Sequence, residues 1–290
     1  MFEGVLSALI TPFKEDRLDV EALERLIEFQ IDGGIHGIVP CGTTGESATL
    51  THAEHKDVIG RTVEIVNGRV PVIAGTGSNS VAESIELTRA AKELGADGAL
   101  LITPYYNKPT QEGLFQHYQA VSAAVDIPLV LYNVPGRTAV DMQAHTVARL
   151  CGIDNIVGVK EATASMERAS EIRILCGKEF ALISGDDATF LPFLSVGGTG
   201  VISVSANVAP KQMVSIWDHW HAGRLDEARL AHETLLELNQ RLFCETSPIP
   251  VKSVASWMGL CDGSLRLPLT TLSEEHFEPL RRTVTRLGLL

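Results

Sequence analysis

Of the eight lysines in the chain, one stands where an amine can serve as a nucleophile. Lys56, Lys92, Lys178 and Lys211 fall in helical or polar stretches, Lys14 and Lys108 lie several residues into loops, and Lys252 sits in the C-terminal tail. Lys160 instead closes an apolar run, Ile156-Val-Gly-Val-Lys. A lysine at the end of a buried strand is partly stripped of water, which favours the neutral amine that attacks carbonyl carbon. The competing reading is an ion pair with Glu161 or Asp187 that serves stability alone. Tyr132 ends the preceding apolar run, and its phenol can shuttle protons onto a carbinolamine and off a carbon acid. Thr43, Thr44 and Tyr106 follow other runs and can extend a chain of hydroxyls, although a strand-end tyrosine is commonly half-buried packing. The glycines of Gly42-Thr-Thr-Gly-Glu-Ser47 permit a sharp turn that exposes backbone N–H groups beside threonine hydroxyls. Such a nest suits a carboxylate or phosphate, and a plain tight turn would read the same. Arg137, five residues beyond Tyr132, can clamp a second carboxylate with two parallel hydrogen bonds, or be a surface arginine.

These residues need a frame that brings them to one place. Short runs rich in Val, Ile and Leu recur at 5–10, 35–41, 70–75, 98–103, 129–133, 156–160, 180–184 and 200–203. They are continuous rather than alternating, as in parallel strands covered on both faces. Between them the apolar residues take helical spacing, as at Val20, Leu23, Leu26, Ile27 and Ile31, and again in 80–95 and 113–125. Thr51 and Glu54 form a capping-box signature, and Gly95 ends a helix. Eight such units predict a (β/α)8 barrel over residues 1–223; a doubly wound open sheet is the alternative. Residues 224–290 predict a helical appendage, with helices over 225–242, 250–259 and 273–287. In such a barrel the active site lies in the loops after the strands, where every residue singled out above falls.

Composition narrows the partners. The net charge of −12 opposes binding to nucleic acid or to an anionic membrane, and no apolar run is long enough to span a bilayer. The N-terminal stretch lacks the features of a signal peptide and reads as structure. Five scattered cysteines with no C-x-x-C pair argue against a disulfide framework or zinc site and fit a reducing cytoplasm. There is no phosphate-binding G-x-x-x-x-G-K-[ST], and Gly75-Thr-Gly is too short for a dinucleotide fingerprint. His52 and His55 do not form H-E-x-x-H, so zinc hydrolysis is not indicated, and His219 and His221 suit a packed helix face.

Seven motifs in order carry a wider resemblance: GTTGES at 42–47, VIAGTGSN at 72–79, TPYYNKPTQEG at 103–113, YNVPGRT at 132–138, GVKEAT at 158–163, SGDD at 184–187 and VISVSANV at 201–208. With PIPVK at 248–252, the chain resembles the dihydrodipicolinate synthase family over its full length. That family belongs to the pyruvate-dependent class I aldolases, which include N-acetylneuraminate lyase. The resemblance implies that Lys160 forms an imine with pyruvate, that Thr43, Tyr132 and Tyr106 relay protons, and that Tyr106 reaches in from a neighbouring subunit. It further implies that Thr44 holds the pyruvate carboxylate and Arg137 that of L-aspartate 4-semialdehyde, with the carbonyls of Gly185 and Ile202 near the lysine. The implied product leads to diaminopimelate and lysine. No metal or organic cofactor is implied, and the implied assembly is a homotetramer of tight dimers. Ser47, Ala48, His52, His55, Asn79, Glu83 and Tyr105 match the pocket that binds lysine as an effector in inhibited members. A related lyase acting on a sugar acid or keto acid is the nearest alternative, and Thr44 and Arg137 speak against it. A non-catalytic phosphate-binding barrel would leave Lys160 and Tyr132 without a use.

Overall fold

The computed structural model describes residues 2–290. Eight parallel strands form its centre: β1 Gly4–Ala8, β2 Gly37–Val39, β3 Ile73–Gly75, β4 Gly98–Ile102, β5 Leu129–Asn133, β6 Ile156–Glu161, β7 Ala181–Ser184 and β8 Gly200–Ser203. Consecutive strands pair in order, β8 pairs with β1, and a bridge from Ile38 to Val72 joins β2 to β3 and closes the ring. The (β/α)8 expectation therefore holds, and the open-sheet alternative does not. A short antiparallel hairpin after β1, Phe13–Lys14 with Arg17–Leu18, was not anticipated.

Side-chain alternation sorts each strand between two environments. Leu6, Val39, Ile73, Leu100, Val130, Ile183 and Ile202 fill the barrel interior. Their neighbours, such as Val5, Leu9 and Val201, face the helices. Those helices are α1 Val20–Asp32, α2 His52–Val66, α3 Val81–Glu93, α4 Gln111–Ala124, the one-turn α5 Pro135–Thr138, α6 Ala144–Leu150, α7 Met166–Cys176, α8 Phe190–Ser195 and α9 Pro210–His221. Helices α1, α2, α3, α4 and α7 start where a short polar side chain can take up a free N–H. Asp19, Ser80, Thr110 and Ser165 each accept from the amide three residues on, and Thr51 with Glu54 completes a reciprocal capping box.

Three helices follow the barrel, α10 Leu225–Arg241, α11 Ile249–Trp257 and α12 Glu274–Arg286. Their buried side chains Leu235, Leu238, Val251, Val254, Leu280 and Val284 belong to the same cluster as Leu9, Ile10, Leu26 and Met213 of the barrel layer. The tail thus shares the barrel's core. Among the described residues no helix is long and apolar enough to cross a membrane.

Candidate active site

Lys160 points into the barrel at the C-terminal end of β6, paired in register with Tyr132 on β5. It is 94% removed from solvent (6% exposed), and its Nζ lies 4.3 Å from the centroid of the Tyr132 ring. The two acids that might have neutralised it are engaged elsewhere. Glu161, the next residue, faces the opposite side of the sheet, where it accepts from Asn133 Nδ2 at 3.1 Å and from the Thr163 amide at 2.9 Å. Burial raises the pKa of its carboxyl. Asp187 is also buried with a raised pKa, and its Oδ2 accepts the amides of Val204 at 2.9 Å and Ser205 at 3.0 Å. Lys160 therefore has a dry environment, an aromatic face and no ion pair.

Glycine shapes the space over the lysine. A Cβ at Gly185 would fall 2.5 Å from Ala162 Cβ and 3.1 Å from Lys160 Cε, so only glycine lets the β7 loop pass this close. Ile202, on the interior face of β8, closes the far wall. Thr43 and Tyr132 line one small cavity of about 30 Å³ with Cys41, Gly42, Ser47, Gly75 and Leu100. Thr44 is buried beside them in the same loop. A groove of about 560 Å³ elsewhere, bounded by Phe13, Asp16, Thr49 and Arg266, contains none of the sequence-derived groups and no nucleophilic amine.

Two candidates sit apart from this centre. Tyr106 is 89% exposed and holds a left-handed backbone (φ 65°), so within one chain it projects to solvent rather than to Lys160. Arg137 lies on α5, where its Nη2 donates to the Ser247 carbonyl at 3.2 Å, tying the β5 loop to the start of α11.

The seven residues matched to an effector pocket come from neighbouring loops. Asn79 Nδ2 donates to the Tyr105 carbonyl at 3.3 Å, joining the β3 and β4 loops. Glu83 accepts from Ser78 Oγ at 2.7 Å, and its side chain is exposed, as are Ala48 and His52. His55 is different. It is buried, its Nε2 lies 2.7 Å from the Gly75 carbonyl, and burial lowers its pKa, so its imidazole is a neutral strut between α2 and β3. Ser47 is half-buried, at the start of a single 3-10 turn over Ser47–Thr49.

Sequence reasoning passed over Lys252 as a tail residue, and it gave Glu46 no role. The structure joins them: Lys252 Nζ lies 2.6 Å from Glu46 Oε1, with both side chains fully buried. A signal was present in the run Ile-Pro-Val-Lys-Ser-Val-Ala, where a lysine interrupts an otherwise apolar helix face and needs a counter-charge if that face is covered.

Comparison with known proteins gives a consistent result. The model of the "Dihydrodipicolinate synthetase family" matches residues 1–287. A 4-hydroxy-tetrahydrodipicolinate synthase of Magnetococcus marinus is 62% identical over 290 residues, covering 100% of this chain and 99% of the relative. Among solved structures, a dihydrodipicolinate synthase from Acinetobacter baumannii complexed with pyruvate shares 47% identity at a TM-score of 0.98, covering 100% of both chains. One from Cyanidioschyzon merolae with lysine bound shares 40% at a TM-score of 0.97, covering 100% of this chain and 99% of that one. With near-complete coverage at these identities, the chain belongs to the dihydrodipicolinate synthetase family.

Proposed function

We propose that this chain is a Schiff-base-forming lyase that condenses pyruvate with L-aspartate 4-semialdehyde, using Lys160 as the amine. The observation that carries the reading is a buried lysine with no counter-ion among the described residues, set against Tyr132, which lines one cavity with Thr43. The Lys160 amine adds to the keto carbon of pyruvate, and the carbinolamine loses one water to give the imine. Loss of a methyl proton gives an enamine, whose carbon bonds to the aldehyde carbon of the second substrate. The aldehyde oxygen takes up a proton and becomes a hydroxyl. The amino group of the second substrate then displaces Lys160 from the imine carbon, closing the ring as 4-hydroxy-tetrahydrodipicolinate and restoring the amine. One water leaves overall. Tyr132 and Thr43 stand where hydroxyls can move these protons, with Tyr106 from a neighbouring subunit as the third member. In this reading Thr44 takes the pyruvate carboxylate, Arg137 takes that of the aldehyde, and Gly185 and Ile202 contribute backbone carbonyls to the pyruvate pocket.

Borohydride reduction in the presence of pyruvate, followed by peptide mapping, tests the reading. A pyruvate adduct on the peptide containing Lys160 is the expected result, and an adduct elsewhere, or none, rejects it. A lyase acting on a sugar acid would trap pyruvate equally but would not turn over aspartate semialdehyde.

The exposed, left-handed Tyr106 supports assembly into a homotetramer of tight dimers, where a partner can receive that side chain. The contact between Asn79 and Tyr105, one residue from Tyr106, supports free L-lysine as an effector acting through this loop. The lysine-bound relative supports the same reading. Millimolar lysine should inhibit the wild type, and Glu83→Ala should weaken that inhibition about tenfold or more by removing the charge that faces the ammonium. Unchanged wild-type activity at that concentration rejects the effector. Five free cysteines fit a cytoplasmic protein.

A further inference from the structure

The Gly42–Ser47 loop is held in a shape that its sequence alone does not favour. Cys41 precedes it and Glu46 lies within it, both non-glycine residues in the left-handed region at φ 54° and 55°. Each such residue costs roughly 1 kcal/mol or more, so the surrounding structure must over-determine it. Thr11 Oγ1 donates to the Gly45 carbonyl at 2.7 Å. At the next residue, the Glu46 carboxylate is gripped on both oxygens from the tail: Oε1 by Lys252 Nζ at 2.6 Å, and Oε2 by the Arg266 amide at 3.1 Å. The Glu46 amide itself donates to the Thr43 carbonyl at 3.1 Å. A displacement of Glu46 is therefore passed through one backbone hydrogen bond to Thr43 and Thr44.

The same helix that supplies Lys252 begins beside Ser247, whose carbonyl accepts from Arg137 at 3.2 Å. Helix α11 thus touches the loops on both sides of the barrel mouth. Its grip on Glu46 is dry, whereas its hold on Arg137 is a single hydrogen bond to an exposed side chain.

We infer that Lys252 and Glu46 are positioning residues that fix the Thr43–Thr44 turn for pyruvate, so that the C-terminal helices form part of the substrate site. The inference rests on the proposed pyruvate chemistry. The buried pair touches no substrate, and its effect is exerted through the turn.

The test compares Lys252→Met and Glu46→Gln with the wild type in steady-state kinetics, varying each substrate separately at a temperature well below unfolding. The pyruvate KM should rise about tenfold or more, equivalent to about 1.4 kcal/mol, with a smaller change in kcat and little change in the aldehyde KM. Folded variants that melt at lower temperature but keep the wild-type pyruvate KM would show that the pair only stabilises, which overturns the inference. Should the single variants fail to fold, the double variant Glu46→Gln/Lys252→Met removes the unpaired buried charge; a raised pyruvate KM there supports the inference and a wild-type value overturns it. Borohydride trapping on the wild type separates the two levels: no adduct on Lys160 sinks the proposed function, while an adduct with unmoved KM values in the variants sinks only the positioning role.

Discussion

Two lysines are withdrawn from water in this barrel, and their surroundings match in all but one respect. Lys160 is 6% exposed and Lys252 is 0% exposed, and each ammonium nitrogen lies 4.3 Å from the centroid of an aromatic ring, Tyr132 in one case and Phe13 in the other. Lys252 has a carboxylate 2.6 Å away, and Lys160 has none. Burial disfavours the charge of a lysine and an aromatic face favours it, and the difference between the two sites is whether an anion engages the nitrogen. Burial pushes the Lys252 pKa down and the Glu46 carboxylate opposes that shift, engaging the Lys252 nitrogen in a 2.6 Å ion pair rather than leaving it free for a carbonyl. Among the described residues Lys160 has no carboxylate partner to occupy its nitrogen, and the loop over it is cleared by Gly185. Depth alone does not make a lysine a nucleophile; depth without a counter-charge does.

The sharpest way to break this comparison is to exchange what each lysine supplies. Lys160→Arg keeps a cation but has no amine to add to pyruvate, so turnover should fall on the order of 10³-fold or more while cooperative melting persists. Trapping that moved to Lys252 in this variant would collapse the distinction. Lys252→Met acts on the other side. It leaves Glu46 buried and unpaired, which should cost about 3–5 kcal/mol of stability by urea unfolding, while pyruvate at saturating concentration still traps on Lys160. A stability loss within error of zero would mean that water reaches Glu46 and that the pair is not dry.

The barrel was legible because each strand is a continuous apolar run and helices α1, α2, α3, α4 and α7 open on a capping residue; both are local signals. All eight strands have ends within three residues of those of the apolar runs, and the hairpin at Phe13–Leu18 was missed because two-residue strands carry no period. Lys160 was legible for the same local reason, as a charge ending a buried strand. The Lys252–Glu46 pair was not, since its partners are 206 residues apart and either one alone reads as ordinary surface charge. Tyr106 differs again: residue type and loop position suggested only a hydroxyl, its reach into a neighbouring subunit came from the family resemblance, and its 89% exposure within one chain follows from a left-handed turn that no spacing rule reveals.

The smallest effect separates the dry centre of the clamp from its wet rim. Arg266 bridges Phe13, Asp16 and Glu54 at the edge of the same network, with Nη2 2.6 Å from Glu54 Oε1. The hydrogen bond from Arg266, together with the Thr51 amide, holds the Glu54 carboxyl at a pKa of about 2, well below its ordinary 4.5. A depressed folded-state pKa means stabilisation that is fully present above about 4.5 and is lost as pH falls toward 2, because the unfolded chain takes up the proton first. The full shift would correspond to about 3 kcal/mol, but the Glu54 side chain is 33% exposed and water screens the pair, so about 1 kcal/mol is the expected contribution. Glu54→Gln isolates that charge, because glutamine still serves the capping box at Thr51. Urea unfolding of both proteins across pH should show a gap of about 1 kcal/mol near neutrality that closes as the acid limb is descended. A gap independent of pH would assign the effect to capping geometry, and a gap as large as that of Lys252→Met would erase the difference between rim and centre.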